Sequence, residues 1–301
     1  ADSSGGREIR IILDKIFVRW REIPLWKRLG VKGLLVFFVL FIIHFPNPYH
    51  FTRQAFHVLD AESLIDPDFK GVEQVNRQID RILEQKGGEW DEIRAVEHFV
   101  YRNIGYEFDW NTCGNLDYWP TAAEVWHRRT DDCDGRAILA VSILRSRGHK
   151  DARLAGNLLH IWAETDDQPL LSPRGEKNIT LTEKVVTQPD GSKQVRRSYS
   201  FSLPSARLLL SGLSFHIRHF PLTRLILLFV LLFLVSVHPA GGRTTVPVSL
   251  IFILLGMLYL TEWAETRQPE ITGTFAAGTV FILLAFAWTF YHRYATADRE
   301  E

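Results

Sequence analysis

Four separate segments of this chain are dominated by apolar residues, and this pattern restricts the possible folds more than any other feature. A helix needs roughly 20 apolar residues to span a bilayer core of about 30 Å. The fourth segment nearly reaches that length, and the other three reach it when flanking residues are counted. A buried core helix would explain one such run but not four, so the sequence predicts a multi-pass membrane protein. The segments are residues 31–45, 222–237, 246–260 and 273–291.

The distribution of basic residues predicts how the chain is threaded through the membrane. Seven lysines and arginines lie within residues 1–30, and the positive-inside rule places such a segment in the cytoplasm. We expect no cleavable signal peptide, because no basic region followed by an apolar core opens the sequence. Four spans then place residues 46–220 outside, which in a bacterium is the periplasm. A basic tract over residues 196–224 opposes this orientation, although long translocated domains follow the rule weakly.

The overall charge gives no sign of nucleic acid as a partner, and the cysteine content excludes a disulfide scaffold. Lysine plus arginine equals aspartate plus glutamate, at 35 each, so the charge does not point to nucleic acid as a partner. Two cysteines, Cys113 and Cys133, are too few for a disulfide scaffold. In an oxidising compartment they could pair, which would block any nucleophilic role of Cys133. The alternative is a free buried thiol that behaves as a small hydrophobe.

Helix signals between the first two apolar segments are clear. Apolar residues at helical spacing predict a helix over residues 71–86, ended by glycines, and another over 89–103. Thr121 can cap a short helix that runs through Trp126. A further amphipathic helix starts at Cys133 and ends at Gly148, which suits the position after a helix C-terminus.

Cys133 and His160 are the candidate catalytic residues. A thiol at a helix N-terminus feels the positive end of the helix dipole, which lowers its pKa toward the thiolate. His160 follows 27 residues later on a predicted strand. Nucleophilic thiol chemistry needs such a cysteine and a histidine that holds and transfers its proton.

Several short motifs around this pair resemble the bacterial transglutaminase-like domain, a papain-related family with a Cys-His-Asp triad. The resemblance covers residues 90–175, under a third of the chain. It implies an α+β fold, with Cys133 as nucleophile, His160 as base and Trp119 near the oxyanion site. The motifs are Ala95–Tyr106, the pair Trp119-Pro120, Asp132–Ala137, Leu144–Gly148, the pair Ala152-Arg153, and His160–Glu164.

The third member of the triad departs from the family. The family carries an acidic residue on the strand after the histidine, and the matching position here is Ser172. A serine hydroxyl can accept a hydrogen bond from imidazole but cannot stabilise an imidazolium as a carboxylate does. In the Ser-His-Asp triad, exchanging that carboxylate for a neutral amide lowers the rate about 10⁴-fold. The domain is therefore expected either to keep the fold without the chemistry or to work with a weakened triad.

No metal and no cofactor are predicted. The histidines of the soluble segment, His98, His127 and His149, lack the paired spacing of zinc ligands. The aspartates around Cys133 could suggest a calcium loop, but a helix follows too soon and no downstream glutamate completes it.

Two functions are compatible with these features. In the first, the chain is a structural or accessory subunit of a larger bacterial membrane complex, of respiratory or photosynthetic type, with the lipid bilayer and other subunits as partners. In the second, it is a membrane-anchored cysteine hydrolase or acyltransferase that acts on periplasmic peptides or proteins through Cys133 and His160.

The expected architecture is an α+β transglutaminase-like (papain-like) domain inserted between transmembrane helices, one before it and three after it. The expected location is the bacterial inner membrane, with both termini in the cytoplasm. The predicted segments are a cytoplasmic amphipathic segment at 1–30, transmembrane helices at 31–46, 221–238, 246–263 and 271–292, an extracytoplasmic domain at 47–220 with a transglutaminase-like core at about 90–203, and a cytoplasmic tail at 293–301.

Overall fold

A computed structural model describes the chain over nine ranges, and these group into two compact units. The first unit comprises residues 1–44, 222–257 and 278–301, and the second comprises residues 45–221 and 258–277. The predicted segment before residue 24 and the predicted triad residue Ser172 lie outside the described ranges. Those ranges are 24–156, 160–166, 169–171, 179–180, 184–187, 193–196, 206–236, 245–265 and 273–297.

Helices dominate the described part of the chain. In chain order they are α1 (Leu25–His44), α2 (Pro48–Leu59), a 3₁₀ turn (Ala61–Leu64), α3 (Val72–Lys86), α4 (Glu92–Asn103), α5 (Asp109–Thr112), α6 (Ala122–Arg128), α7 (Cys133–Ser146), α8 (Ala206–His219), α9 (Leu222–Ser236), α10 (Thr245–Glu265) and α11 (Gly273–Ala297).

The helix α7 forms the centre of the second unit. Eleven consecutive residues, from Asp134 to Leu144, are buried. A helix that is buried all round must be covered on every face, and here α3, α4, α6 and the strand β4 (Ile161–Glu164) pack against it. Phe99 of α4 and Trp162 of β4 are among the largest side chains of this core. The packing holds the N-terminal residue of α7, Cys133, in a fixed place.

Side-chain caps set the starts of the helices around the site. The carboxylate of Asp132 caps α7 and accepts the backbone N–H of Asp134. Thr121 and Glu124 bond reciprocally as a capping box at the start of α6. Asn47 caps α2 and accepts the N–H groups of residues 49 and 50. Each cap satisfies backbone donors that have no partner inside the helix.

The strands are short and form three separate sheets. The largest has the order β5-β4-β3-β6, with β3 (Arg153–Gly156) antiparallel to β4 and flanked by β6 (Ile179–Thr180), and with β5 (Pro169–Leu170) beside β4. Parallel pairing joins β1 (Gly105–Tyr106) to β2 (Thr130–Asp131). A third sheet pairs β7 (Lys184–Thr187) with β8 (Lys193–Arg196).

The predicted papain-like α+β fold is wrong. Each described strand has two to four residues, and β7 and β8 pair with one another instead of extending the sheet that contains β4. The sheet therefore stays too small to form a layer, and α7 is covered largely by other helices. Two segments that the sequence interpretation left unassigned, residues 48–59 and 206–219, are also helical.

The predicted anchor of four full spans is wrong as well. Within the described ranges, one helix is long and apolar enough to cross a membrane, over Pro247–Ala264 of α10, and this number rises to three if each of two bent helix pairs counts as one span. One pair, α1 and α2, is bent by 89° after His44, and the other, α8 and α9, is bent by 109° before Leu222. The apolar part of α11 has only 17 residues. The breaks come at Pro46 and Pro221, where proline cannot continue a helix. These lengths are compatible with a membrane protein.

Close contacts join the helices of the first unit. Gly256 of α10 lies against α11, where a Cβ at residue 256 would be 2.9 Å from the carbonyl oxygen of Gly278. The hydroxyls of Ser249 and Thr289 are 3.2 Å apart. Small residues and hydroxyl pairs of this kind allow helices to approach closely in an apolar medium.

Candidate functional site

Cys133 lies at the position where α7 begins and faces the start of β4. The backbone N–H of Ile161 lies near the Cys133 sulfur and favours its thiolate form. Ile161 is the first residue of β4, so the packing of β4 against α7 brings the neighbouring His160 close to Asp132 at the α7 N-terminus. The structure thus brings together the segments of the two predicted catalytic residues, although they are 27 residues apart in sequence.

A backbone carbonyl orients the His160 ring. The Nε2–H of His160 donates to the carbonyl oxygen of Leu171 at 3.0 Å. A carbonyl can only accept, so this bond places a proton on Nε2. The ring also stacks on Trp162, with ring centroids 6.1 Å apart. The orienting role expected of a triad carboxylate is therefore taken by a main-chain oxygen at the residue before Ser172.

The peptide groups of Leu171 are themselves held in place. Leu171 has a φ of 59°, in the left-handed region that branched side chains rarely occupy. Its N–H donates to Oε1 of Glu97 at 2.9 Å, while its carbonyl accepts from His160. Glu97 lies within one of the motifs that carry the family resemblance, but sequence reasoning gave it no role.

Aspartates surround Cys133 on several sides. One oxygen from each of four aspartates lies within 4.8 Å of the others. Asp109 reaches this cluster from α5, because the parallel pairing of β1 with β2 brings its loop alongside residue 131. Oxygen ligands at such separations suit a hard cation such as calcium or magnesium. The cluster consists of Asp109, Asp131, Asp132 and Asp134.

The four carboxyl groups are hydrogen-bonded within the protein. Asp109 accepts the N–H of Tyr118 at 2.7 Å, and Asp131 forms an ion pair with Arg128. The N–H of Gly135 donates to Asp134. Burial, followed by the charges of the neighbouring carboxylates, raises the pKa of Asp109 and of Asp134 well above the usual range. These side chains therefore hold protons at pH values where exposed aspartates are ionised.

The same surroundings oppose ionisation of the Cys133 thiol. Burial is the largest cause of its raised pKa, and the charges of Asp132, Asp117 and Asp109 add to it. The N–H of Ile161 acts in the other direction but does not outweigh them. The pKa of Cys133 is thus shifted upwards, opposite to the shift predicted from the helix dipole alone.

The main-chain groups of Trp119 already have partners inside the protein. Its N–H donates to Oε1 of Gln54 at 2.7 Å, and its carbonyl accepts from Nδ1 of His57. These bonds tie the Trp119 loop to α2. The predicted oxyanion role of Trp119 stays a prediction, and its backbone amide would have to leave Gln54 to fulfil it.

Both cysteines are free thiols in the described structure. The Sγ–H of Cys113 donates to the carbonyl oxygen of Asp109 at 3.2 Å. Burial and the Asp109 charge raise the pKa of Cys113 to about 12. Cys113 is therefore a second thiol near the same aspartate, and it can serve as an internal reference for the reactivity of Cys133.

No protein-family model, curated protein or solved structure matches this chain. The family resemblance therefore stays a prediction carried by its short motifs alone.

Proposed function

We propose that this chain is a structural or accessory subunit of a larger bacterial membrane complex. An apolar cleft in the first unit carries the proposal. It lies between α1 and α9, has a volume of about 500 Å³ and is open on one side. Nine of its ten lining residues are apolar, and Lys32 is the exception. Such a cleft, which the described helices leave open, offers a binding surface for a helix of another subunit.

The spacing of the lining residues matches the surface that a helix requires. On α9 they are Leu227, Val230, Leu231 and Leu234, at intervals of three and four residues. The residues contributed by α1 repeat the same intervals. Ridges of this spacing form the grooves into which a neighbouring helix packs its own side chains. Leu35 on the cleft wall is 60 % exposed, so much of its surface is available to a partner.

The condition of the Cys133 thiol supports a role other than catalysis. A cysteine nucleophile acts as a thiolate, whereas burial and nearby carboxylates raise the pKa of Cys133. The proposed location is the bacterial inner membrane. The basic residues within 1–30 would lie on its cytoplasmic side and the second unit on its periplasmic side.

Filling the cleft tests the assembly role. Leu35→Trp adds bulk to the cleft wall, whereas Phe38→Trp adds similar bulk at an exposed position of α1 that does not line the cleft. We expect the unaltered chain and Phe38→Trp to migrate in one high-mass complex on native gels of mild-detergent extracts, and Leu35→Trp to migrate as the free chain. An unaltered chain that purifies as a stable monomer, or a complex that tolerates Leu35→Trp, would contradict the proposal.

A second function, thiol-dependent hydrolysis or acyl transfer, is favoured by one observation. His160 is oriented by the Leu171 carbonyl and lies beside the α7 N-terminus, as a general base would. For this function, substrate binding would have to neutralise the negative charge of the aspartates near Cys133 so that the thiolate could form. Measurement of thiol reactivity separates the two functions.

A further inference from the structure

The helix α2 is amphipathic in the reverse sense to an ordinary surface helix. Most of its polar side chains face other parts of the second unit, and Gln54 is only 7 % exposed. Its apolar side chains face outward, with Phe56 68 % and Leu59 75 % exposed. A surface helix in water normally buries its apolar face and exposes its polar face.

Side chains on the polar face of α2 form hydrogen bonds and an ion pair with other parts of the second unit. Nδ1 of His50 donates to the carbonyl oxygen of Cys113 at 3.0 Å, and Arg53 forms an ion pair with Glu124 at 2.5 Å. Gln54 bonds both Asp117 and the Trp119 loop. The inward orientation is therefore built by specific partners, and the helix cannot rotate to hide Phe56 without breaking these bonds.

The position of α2 along the chain identifies the medium that its outer face meets. It begins four residues after α1 ends, and the two helices together are apolar enough to count as one broken span. Tyr49, at the N-terminal end of α2, is also exposed. Tyrosine concentrates at the boundary between lipid and water, and a helix with one strongly apolar face binds in that boundary plane.

The helix α8 repeats the arrangement before α9. Ser214 and Arg218 of α8 donate hydrogen bonds to the carbonyl oxygen of Ala264, while Leu209 and Leu213 are exposed. Polar residues again bond to the protein, while two leucines are exposed. The helix α8 precedes the break in the second bent pair, just as α2 follows the break in the first.

We propose that the outer face of α2, made of Tyr49, Phe56, Val58 and Leu59, lies in the lipid headgroup and acyl-chain boundary and docks the second unit on the bilayer surface. This inference rests on membrane insertion of the chain, which is part of the proposed function, but not on the presence of other subunits.

Lipid-borne quenching of a label on α2 tests the proposal. The full chain carrying Phe56→Cys, and separately Leu59→Cys, is labelled with an NBD fluorophore and reconstituted into phosphatidylcholine vesicles. Nitroxide groups are placed on the lipid acyl chains. Tyr101→Cys is the matched control, because Tyr101 is an aromatic residue of similar exposure on α4, a helix that buries its apolar face in the usual way. Labelling of the unaltered chain shows how much fluorophore reacts with the native thiols, Cys113 and Cys133.

We expect the nitroxide lipids to remove most of the fluorescence at positions 56 and 59 and little of it at position 101. Labels at positions 56 and 59 that the nitroxide lipids do not quench would overturn the inference. If the emission of such an unquenched label is also blue-shifted, protein covers this face instead of lipid. Alkaline extraction distinguishes the two failures. If the chain resists alkaline extraction but the label at position 56 is not quenched, only this inference fails. If alkaline treatment extracts the chain, the proposed membrane location fails as well.

Discussion

The carboxyl group of Asp131 packs onto the Cα of Gly135, so closely that a Cβ on residue 135 would lie 2.4 Å from Cγ of Asp131. Asp131 is fully buried and ion-paired with Arg128, so it has no space into which to move. We expect Gly135→Ala to lower the free energy of unfolding by about 1–3 kcal/mol, despite the helix propensity that alanine adds. Denaturant titration measures the change. Gly33→Ala, at a helical position with open space around it, should be neutral or stabilising.

Cys133 should react slowly with thiol reagents at neutral pH. Burial and the Asp132, Asp117 and Asp109 charges raise its pKa, so little thiolate is present. We expect iodoacetamide to modify Cys133 no faster than Cys113, with a rate that still increases up to the highest pH at which the protein stays folded. Mass spectrometry of the two peptides gives both rates.

The contribution of His160 to that reactivity decides between the proposed functions. For an accessory subunit, His160→Ala leaves the rate at Cys133 unchanged. Rapid modification of Cys133 that His160→Ala abolishes, with the Cys113 rate unaltered, would favour the thiol enzyme.

Stability should decrease as the pH rises from 5 to 7. Burial raises the pKa of Asp131 to about 6 and raises the pKa of Asp109 and Asp134 further above normal. Unfolded aspartates titrate near about 3.9, so the folded chain keeps protons that the unfolded chain loses. This stability is fully present below about pH 4 and is lost as the pH rises through the folded pKa values. Calorimetry in a metal chelator should show a falling Tm.

Asp134→Asn isolates this effect. The amide oxygen can still accept the N–H of Gly135, but the side chain no longer carries a charge that burial disfavours. We expect a higher Tm at pH 7 than in the unaltered protein and a shallower dependence of Tm on pH. An unchanged slope would show that Asp134 does not contribute to the pH dependence.

Gln54 is expected to link α2 to the Trp119 loop. It donates to Asp117 at 2.6 Å and accepts from the Trp119 N–H at 2.7 Å. Gln54→Leu leaves that N–H without its acceptor, and such a loss costs about 1–3 kcal/mol. Thr52→Ala, on the exposed side of the same helix, should change stability far less. Equal effects of the two variants in denaturant titration would contradict the link.

Local signals made several helices predictable from the sequence. Asp132 precedes α7 and Gly148 follows it closely, and Thr121 caps α6, so the residues that define these boundaries lie next to them in the chain. The fold class was not predictable in the same way. It depends on how the strands pair, and the pairs that the structure describes from residue 179 onwards extend over only two to four residues.

The aspartate cluster and the role of α2 depend on contacts distant in sequence. Asp109 and Asp131 meet because β1 pairs with β2, and neither residue lies in a motif that announces this pairing. The reversed polarity of α2 is visible only once the partners of Gln54 and His50 are known. The sequence predicts a Cys133–His160 pair, but not the burial and the charges that raise the pKa of the thiol.

The reciprocal bonds between Asn47 and Asn115 have a consequence for synthesis of the protein. The Asn47 N–H donates to the Asn115 side chain at 2.9 Å, and that side chain donates back to the Asn47 carbonyl at 3.0 Å, across 68 residues of sequence. At about 5–20 residues per second, a ribosome takes roughly 3–14 s to make that stretch. During this interval the polar face of α2 has none of its partners. Docking of α2 onto its domain therefore cannot be completed until translation has passed residue 115.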